Sequence, residues 1–247
     1  MSRFRDRSGA PAPIGIVACS AEGAALCYRT IVHEGERLLG AYRHPEVSMH
    51  TPPLSRYVEH IERGDWRAVG ELMLDSVRRL QAAGARFVIC PDNTIHQALP
   101  LVRAESPLPW LHIAEVVADE ARRRGFGRIG ILGTRWLVDS DVYPSTFERH
   151  GLGWARPTPQ ERDEGHRIVM DELVRHVLRP EAVQHYVGVI RRMKEAGCDA
   201  VVLGCTEIPL VMNDLQSPLP TLDSTRLLAR AAVLRAIGTD AADAASR

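Results

Sequence analysis

Charge of one sign, long apolar runs and paired cysteines are all missing from this chain. Over 247 residues, 31 Lys and Arg balance 31 Asp and Glu. A zero net charge argues against a nucleic-acid or anionic-membrane binder, because both need a basic surface. No apolar run approaches the ~18 residues of a transmembrane helix. Met1 to Pro13 is polar and broken by Pro and Gly, with no apolar stretch before a cleavage-like site, so no secretory signal is expected. The five cysteines (Cys19, Cys27, Cys90, Cys198, Cys205) form no CxxC pair. That argues against a disulfide framework or zinc ribbon and points to a reducing, cytoplasmic setting. No GxGxxG, GxxxxGK[ST], GxSxG or HExxH occurs, so a dinucleotide site, a P-loop, a nucleophile elbow and a metal site lack support. What remains is a globular protein with 45% hydrophobic residues, an enzyme or a ligand binder, with no cofactor expected.

Short apolar runs alternate with helical patterns. Ile14–Cys19, Arg86–Pro91, Ile129–Gly133 and Ala200–Cys205 are almost wholly apolar, as strands buried on both faces of a parallel sheet are. Val47–Thr51, Pro109–Ile113 and Pro220–Asp223 are weaker candidates. Between Asp65 and Ala83, the residues Trp66, Val69, Leu72, Met73, Val77 and Leu80 recur at three- and four-residue steps. This predicts a helix capped by Asp65 and ended by Gly84. A second long helix is predicted from about Glu181 to Ala196, ended by Gly197. The alternation implies βαβ units with right-handed crossovers, and the two ends, Met1–Pro13 and Gly238–Arg247, read as loose tails.

Laying the chain on itself exposes an internal repeat. Val77-Arg78-Arg79-Leu80 with Ala83-Gly84 recurs as Ile190-Arg191-Arg192-Met193 with Ala196-Gly197, an offset of 113 residues. Ile14-Gly15-Ile16-Val17 recurs as Ile129-Gly130-Ile131-Leu132, and Leu108-Pro109-Trp110-Leu111 as Leu219-Pro220-Thr221-Leu222. At the 113-residue offset Asp92 falls on Cys205. Two similar halves related by a pseudo-two-fold axis would enclose a cleft, and open parallel sheets bind ligands beyond the carboxyl ends of their strands. Asp92 and Cys205 each follow such an end. They are therefore expected to face one ligand from opposite sides, the arrangement that inversion at a stereocentre needs. A thiolate suits proton removal, with a thiol reference pKa of ~8.5 that falls near helix N-termini. Thr206-Glu207-Ile208-Pro209 reads as the strand-to-helix turn that would supply free N–H groups.

Asp92-Asn93-Thr94-Ile95-His96 and Leu203-Gly204-Cys205-Thr206-Glu207-Ile208-Pro209-Leu210 resemble the paired signatures of the aspartate/glutamate racemase family, which works without pyridoxal phosphate. Leu108–Ile113, Leu132-Gly133-Thr134-Arg135 and Glu172-Leu173 resemble further family segments in the right order, so the likeness spans about Ile14 to Ala236. It implies an α/β fold of two pseudo-symmetric, Rossmann-like lobes with parallel sheets and a ligand cleft between them. The first lobe takes 1–113 plus 224–247 and the second 114–223. It also implies deprotonation at Cα of a small amino acid or related carboxylate, and often a homodimer. Carried over residue by residue, it makes Cys205 and Asp92 the catalytic pair and Asn93, Thr94, Thr134, Thr206, Ser20 and Glu207 the substrate-binding set.

The chain departs from the family pattern where Asp92 replaces the usual first cysteine. A carboxylate can act as a base, but a reference pKa of ~3.9 leaves little conjugate acid at neutral pH unless burial or a neighbour raises it. Cys90, two residues upstream, is a deeper substitute thiol. His96, His112 and His50 are secondary cleft candidates, and Arg56, Arg135, Arg175 and Arg179 could clamp a carboxylate. The expected activity is a cofactor-independent amino-acid racemase or epimerase. The rivals are a single-thiol decarboxylase or cis–trans isomerase of small carboxylates, and a non-catalytic amino-acid-binding homologue.

Overall fold

A computed structural model describes residues 10–238. The tails expected at Met1–Pro13 and Gly238–Arg247 fall outside the described residues over 1–9 and 239–247. Along the chain the order begins β1 (Ile14–Val17), α1 (Ala21–Leu39), β2 (Val47–His50), α2 (Leu54–Glu62), α3 (Trp66–Ala82), β3 (Phe87–Ile89), α4 (Leu99–Val102) and β4 (Trp110–Leu111). It continues α5 (Ile113–Arg123), β5 (Arg128–Leu132), α6 (Arg135–Val138), α7 (Pro144–Arg149), β6 (Gly153–Ala155), α8 (Pro159–Arg167), α9 (Pro180–Glu195), β7 (Ala200–Leu203), β8 (Thr221–Asp223) and α10 (Ser224–Ile237). Two compact units result, one of 1–113 with 225–247 and one of 114–224.

The first unit carries a wholly parallel sheet in the order β2-β1-β3-β4, with Ile14 opposite Phe87 and Val88 opposite Trp110. Every residue of β1 and β3 is buried, whereas edge strand β2 is only partly covered. This is why the central strands read as unbroken apolar runs. Helix α3 begins as expected: the Asp65 carboxylate accepts from the Ala68 N–H at 3.0 Å, relieving one unpaired N–H of the first turn. It buries Val69, Leu72, Met73, Val77 and Leu80, while Trp66 stays half-covered. Gly84, at φ +95°, ends it. Full burial of each such side chain contributes about 1.5–3 kcal/mol, so this face fixes α3 on the sheet. Gly15 permits the contact: a Cβ there would lie 2.9 Å from Val88 Cγ1 and 3.2 Å from Leu80 Cβ.

The second unit repeats the plan with the order β6-β5-β7-β8, again all parallel, with Ile129 opposite Ala200 and Val201 opposite Thr221. Helix α9 buries Ala182, Tyr186, Val189, Ile190 and Met193 and ends at Gly197 with φ +87°. Gly130 repeats the role of Gly15, since a Cβ there would lie 2.5 Å from Met193 Sδ. The core joins Leu132, Val201 and Leu203 to Ile190, Met193 and Ile168, and reaches Cys205.

All seven expected strands are present, shorter by a residue or two at most ends. Sequence reasoning missed β6, whose Gly-Trp-Ala is too short and too exposed to read as a strand. Where a strand-to-helix turn was expected after Cys205, the chain makes only a 3-10 turn over Ile208–Leu210.

Candidate active site

In the first unit, β3 delivers Cys90-Pro91-Asp92-Asn93 to its carboxyl end, and Thr94–Ala98 coils into a 3-10 helix ahead of α4. Asp92 is half-buried, and its Oδ1 accepts from the Thr94 N–H at 3.1 Å. Asn93 and Thr94 are buried at 2% and 8% exposure. His96 is buried too and does not turn to Asp92. Its Nε2–H donates to the Cys90 carbonyl at 3.0 Å, and its ring meets His112 edge-on at 4.5 Å. Burial, reinforced by His112, holds the His96 pKa well below the usual imidazole value, so the ring is neutral. Cys90 is fully buried, and burial followed by the neighbouring Asp92 pushes its thiol well up, which makes it a poor thiolate. Ser20 caps α1, accepting from the Gly23 N–H at 3.3 Å.

In the second unit, β7 delivers Gly204-Cys205-Thr206-Glu207. The last three are buried, with Cys205 at 9% and Glu207 at 4% exposure. Cys205 Sγ donates to Glu207 Oε2 at 2.9 Å, and Thr206 Oγ1 donates to the same oxygen at 2.7 Å. The motif thus closes on itself through the Glu207 carboxylate. Thr134 caps α6 through a 3.4 Å bond from the Leu137 N–H. Burial, followed by Cys205 and Glu207 as electron-rich neighbours, pushes the Tyr186 phenol well up, so it stays a neutral donor and bonds the Gly165 carbonyl at 3.3 Å. Buried Glu172 pairs with Arg167 at 2.8 Å on a π-helical turn, Ile168–Glu172.

The structure therefore gathers Cys205, Thr206 and Glu207 in one unit and Asp92, Asn93 and Thr94 in the other, each set after the strand that neighbours its sheet's first strand (β3 beside β1, β7 beside β5). His50 and His112 are half-buried at their strand ends. Arg56, Arg135, Arg175 and Arg179 are all exposed. Sequence reasoning missed the sulfur–carboxylate bond of Cys205 and Glu207, although two residues of one tight turn were its visible signal. Among the described residues no group of three or more His, Cys, Asp or Glu could hold a metal ion.

A repeated parallel α/β plan, with a thiol and a carboxyl group at matching strand ends, defines a class of duplicated α/β proteins. The Asp/Glu/Hydantoin racemase family profile matches residues 14–232, and this chain belongs to that family. Among curated proteins it is 23% identical over 205 residues to the broad specificity amino-acid racemase RacX of Bacillus subtilis, covering 80% of this chain and 86% of that one. It is 27% identical over 173 residues to a glutamate racemase of Thermus thermophilus, covering 69% of this chain and 60% of the relative. The crystal structure of an aspartate racemase homologue from Pyrococcus horikoshii superposes with a TM-score of 0.79 at 25% identity, covering 91% of this chain and 98% of that one. No helix among the described residues is long and apolar enough to cross a membrane.

Proposed function

We propose that this protein is a cofactor-independent amino-acid racemase or epimerase in which Cys205 and Asp92 work opposite faces of one Cα. The observation that carries the reading is the Cys205–Glu207 contact at 2.9 Å, at the strand end equivalent to that of Asp92. Glu207 takes the thiol proton. The thiolate then removes the Cα proton, and the electron pair stays on the substrate, delocalised into its carboxylate. A protonated Asp92 returns a proton from the other side. Cys205 is then a thiol again, Glu207 gives the proton it took to solvent and Asp92 takes one back, so nothing is oxidised or reduced. In this reading Asn93, Thr94, Thr134, Thr206 and Ser20 hold the amino acid's polar groups, and the protein works in the cytoplasm as a homodimer. Family membership and the named activities of RacX and the glutamate racemase support the reaction class.

The test is incubation with a panel of L- and D-amino acids in heavy water, following Cα deuteration and chirality. Wild type is expected to exchange and racemise at least one of them, and Cys205→Ala to lose both. Exchange at full rate in Cys205→Ala refutes the assignment. Release of carbon dioxide or a double-bond isomer in place of exchange points to a different reaction.

A further inference from the structure

The second unit holds a donor that the chain leaves unused, joined by contacts to the strand end that carries the thiol. Gly204, which precedes Cys205, is laced to the end of β5. Its N–H donates to the Leu132 carbonyl at 2.8 Å, and a Cβ on Gly133 would lie 3.3 Å from the Gly204 carbonyl oxygen. Thr134 and α6 follow directly. The first amide of α6, on Arg135, donates to His166 Nδ1 at 3.4 Å, and the His166 ring meets the Trp136 ring edge-on at 4.7 Å. His166 belongs to α8, and Arg162 of the same helix bonds Asp139, just past the end of α6, at 2.9 Å. Contacts therefore run unbroken from Gly204 to the imidazole. A backbone N–H only donates, which assigns the lone pair to Nδ1 and the proton to Nε2. Burial, then the Arg135 guanidinium, hold the His166 pKa below the usual imidazole value against the pull of Asp163 and Asp171, so the ring is neutral in this one tautomer. The ring is half-buried, and its Nε2–H meets no acceptor among the described residues, yet it is not sealed in the core.

We infer that His166 is a substrate-binding residue, whose Nε2–H donates to the α-carboxylate of the amino acid beside Thr134. The α-carboxylate is the strong acceptor that every amino acid brings, and open parallel sheets hold ligands at this end of their strands. A ring already fixed by the Arg135 amide and Trp136 loses little freedom on binding. The inference rests on the racemase reading above, and it adds a residue that lies outside both signatures.

The test compares His166→Asn with His166→Asp in the full-length protein, using an amino acid that wild type racemises. Both side chains accept a helix-start amide about equally well, so a purely structural role makes the two variants alike. Only asparagine keeps a donor; aspartate sets a negative charge against the carboxylate. KM is expected to stay within about fivefold of wild type in His166→Asn and to rise roughly tenfold to a hundredfold in His166→Asp, as for a lost hydrogen bond to a charged group, with kcat within about threefold in both. Equal KM in the two variants, or a loss confined to kcat, overturns the inference. A second reading needs no folded variant: wild type labelled with heavy nitrogen in its histidine rings. The His166 Nε2–H resonance should move when the amino acid is added and stay in place with the matching amino alcohol, which lacks the carboxylate. A resonance that ignores both, or follows both alike, overturns the inference. Wild type that neither exchanges nor racemises any amino acid overturns the racemase reading instead; a carboxylate-dependent shift would then still uphold His166 as a binding residue.

Discussion

Gly204 immediately precedes Cys205, and replacing it with alanine is a demanding check on how the thiol is positioned. A Cβ there would lie 2.6 Å from the Leu132 carbonyl oxygen, 2.5 Å from Leu137 Cδ2 and 3.6 Å from Tyr143 Cε2. The leucine methyl can swing away, but the carbonyl belongs to β5 and cannot. It also accepts the Gly204 N–H at 2.8 Å, so separating the two strands weakens that bond. Overpacking of this kind costs about 1–3 kcal/mol, and the weakened hydrogen bond adds about 1 kcal/mol. A loss of about 2–4 kcal/mol should lower the melting temperature by roughly 4–16 °C for a chain of this size. Even where the variant is folded, a displacement of the Cys205 backbone by a fraction of an ångström should slow Cα exchange by tenfold or more. Thermal unfolding followed by circular dichroism, with exchange measured well below the transition, reads both effects. A melting temperature within 2 °C of wild type and an exchange rate within about twofold would show that the strand end yields freely, contrary to the argument.

Two further outcomes follow from local chemistry. Asp65→Ala removes the side-chain acceptor at the start of α3 and should cost about 1 kcal/mol, with Asp65→Asn close to wild type; equal loss in both variants would assign the effect to something other than the cap. Glu161 is opposed by burial, which raises its pKa, but bonds from Arg192 and Thr158 prevail and hold it below the ordinary carboxylate value. A depressed folded-state pKa contributes stability above the unfolded value of about 4.3, which is lost as pH falls through the folded value. The stability gap between wild type and Glu161→Gln, measured by urea unfolding, should therefore be full at pH 7 and narrow below about pH 4. A gap independent of pH contradicts this.

The elements legible in the sequence were those with a strong local cause. The runs at Ile14, Phe87, Ile129 and Ala200 are buried on both sides, so their composition alone marks them as central strands. The glycines after α3 and α9 mark stops because each adopts positive φ. Strand β6 was invisible locally, yet the repeat demanded a counterpart to β2, and that argument would have found it. The positions of Asp92 and Cys205 at matching strand ends followed from the 113-residue offset and appear in the two sheet orders. The partners of those residues were harder to read. Asp92, His96 and Cys90 are neighbours in sequence, but nothing in their order says that the histidine bonds a backbone carbonyl rather than the aspartate.

The first unit is not continuous in the chain: it is left at Ile113 and resumed at Thr225, where α10 returns and the Ala236 carbonyl accepts the Ala12 N–H at 2.9 Å. During synthesis the ribosome therefore finishes the second unit before it supplies the closing helix of the first. At translation rates of about 5–20 residues per second, the opening segment waits roughly 5–20 s with part of its hydrophobic surface uncovered. That interval is a window in which a nascent-chain chaperone would have something to bind, and the duplicated architecture matures in the reverse of the order in which it is begun.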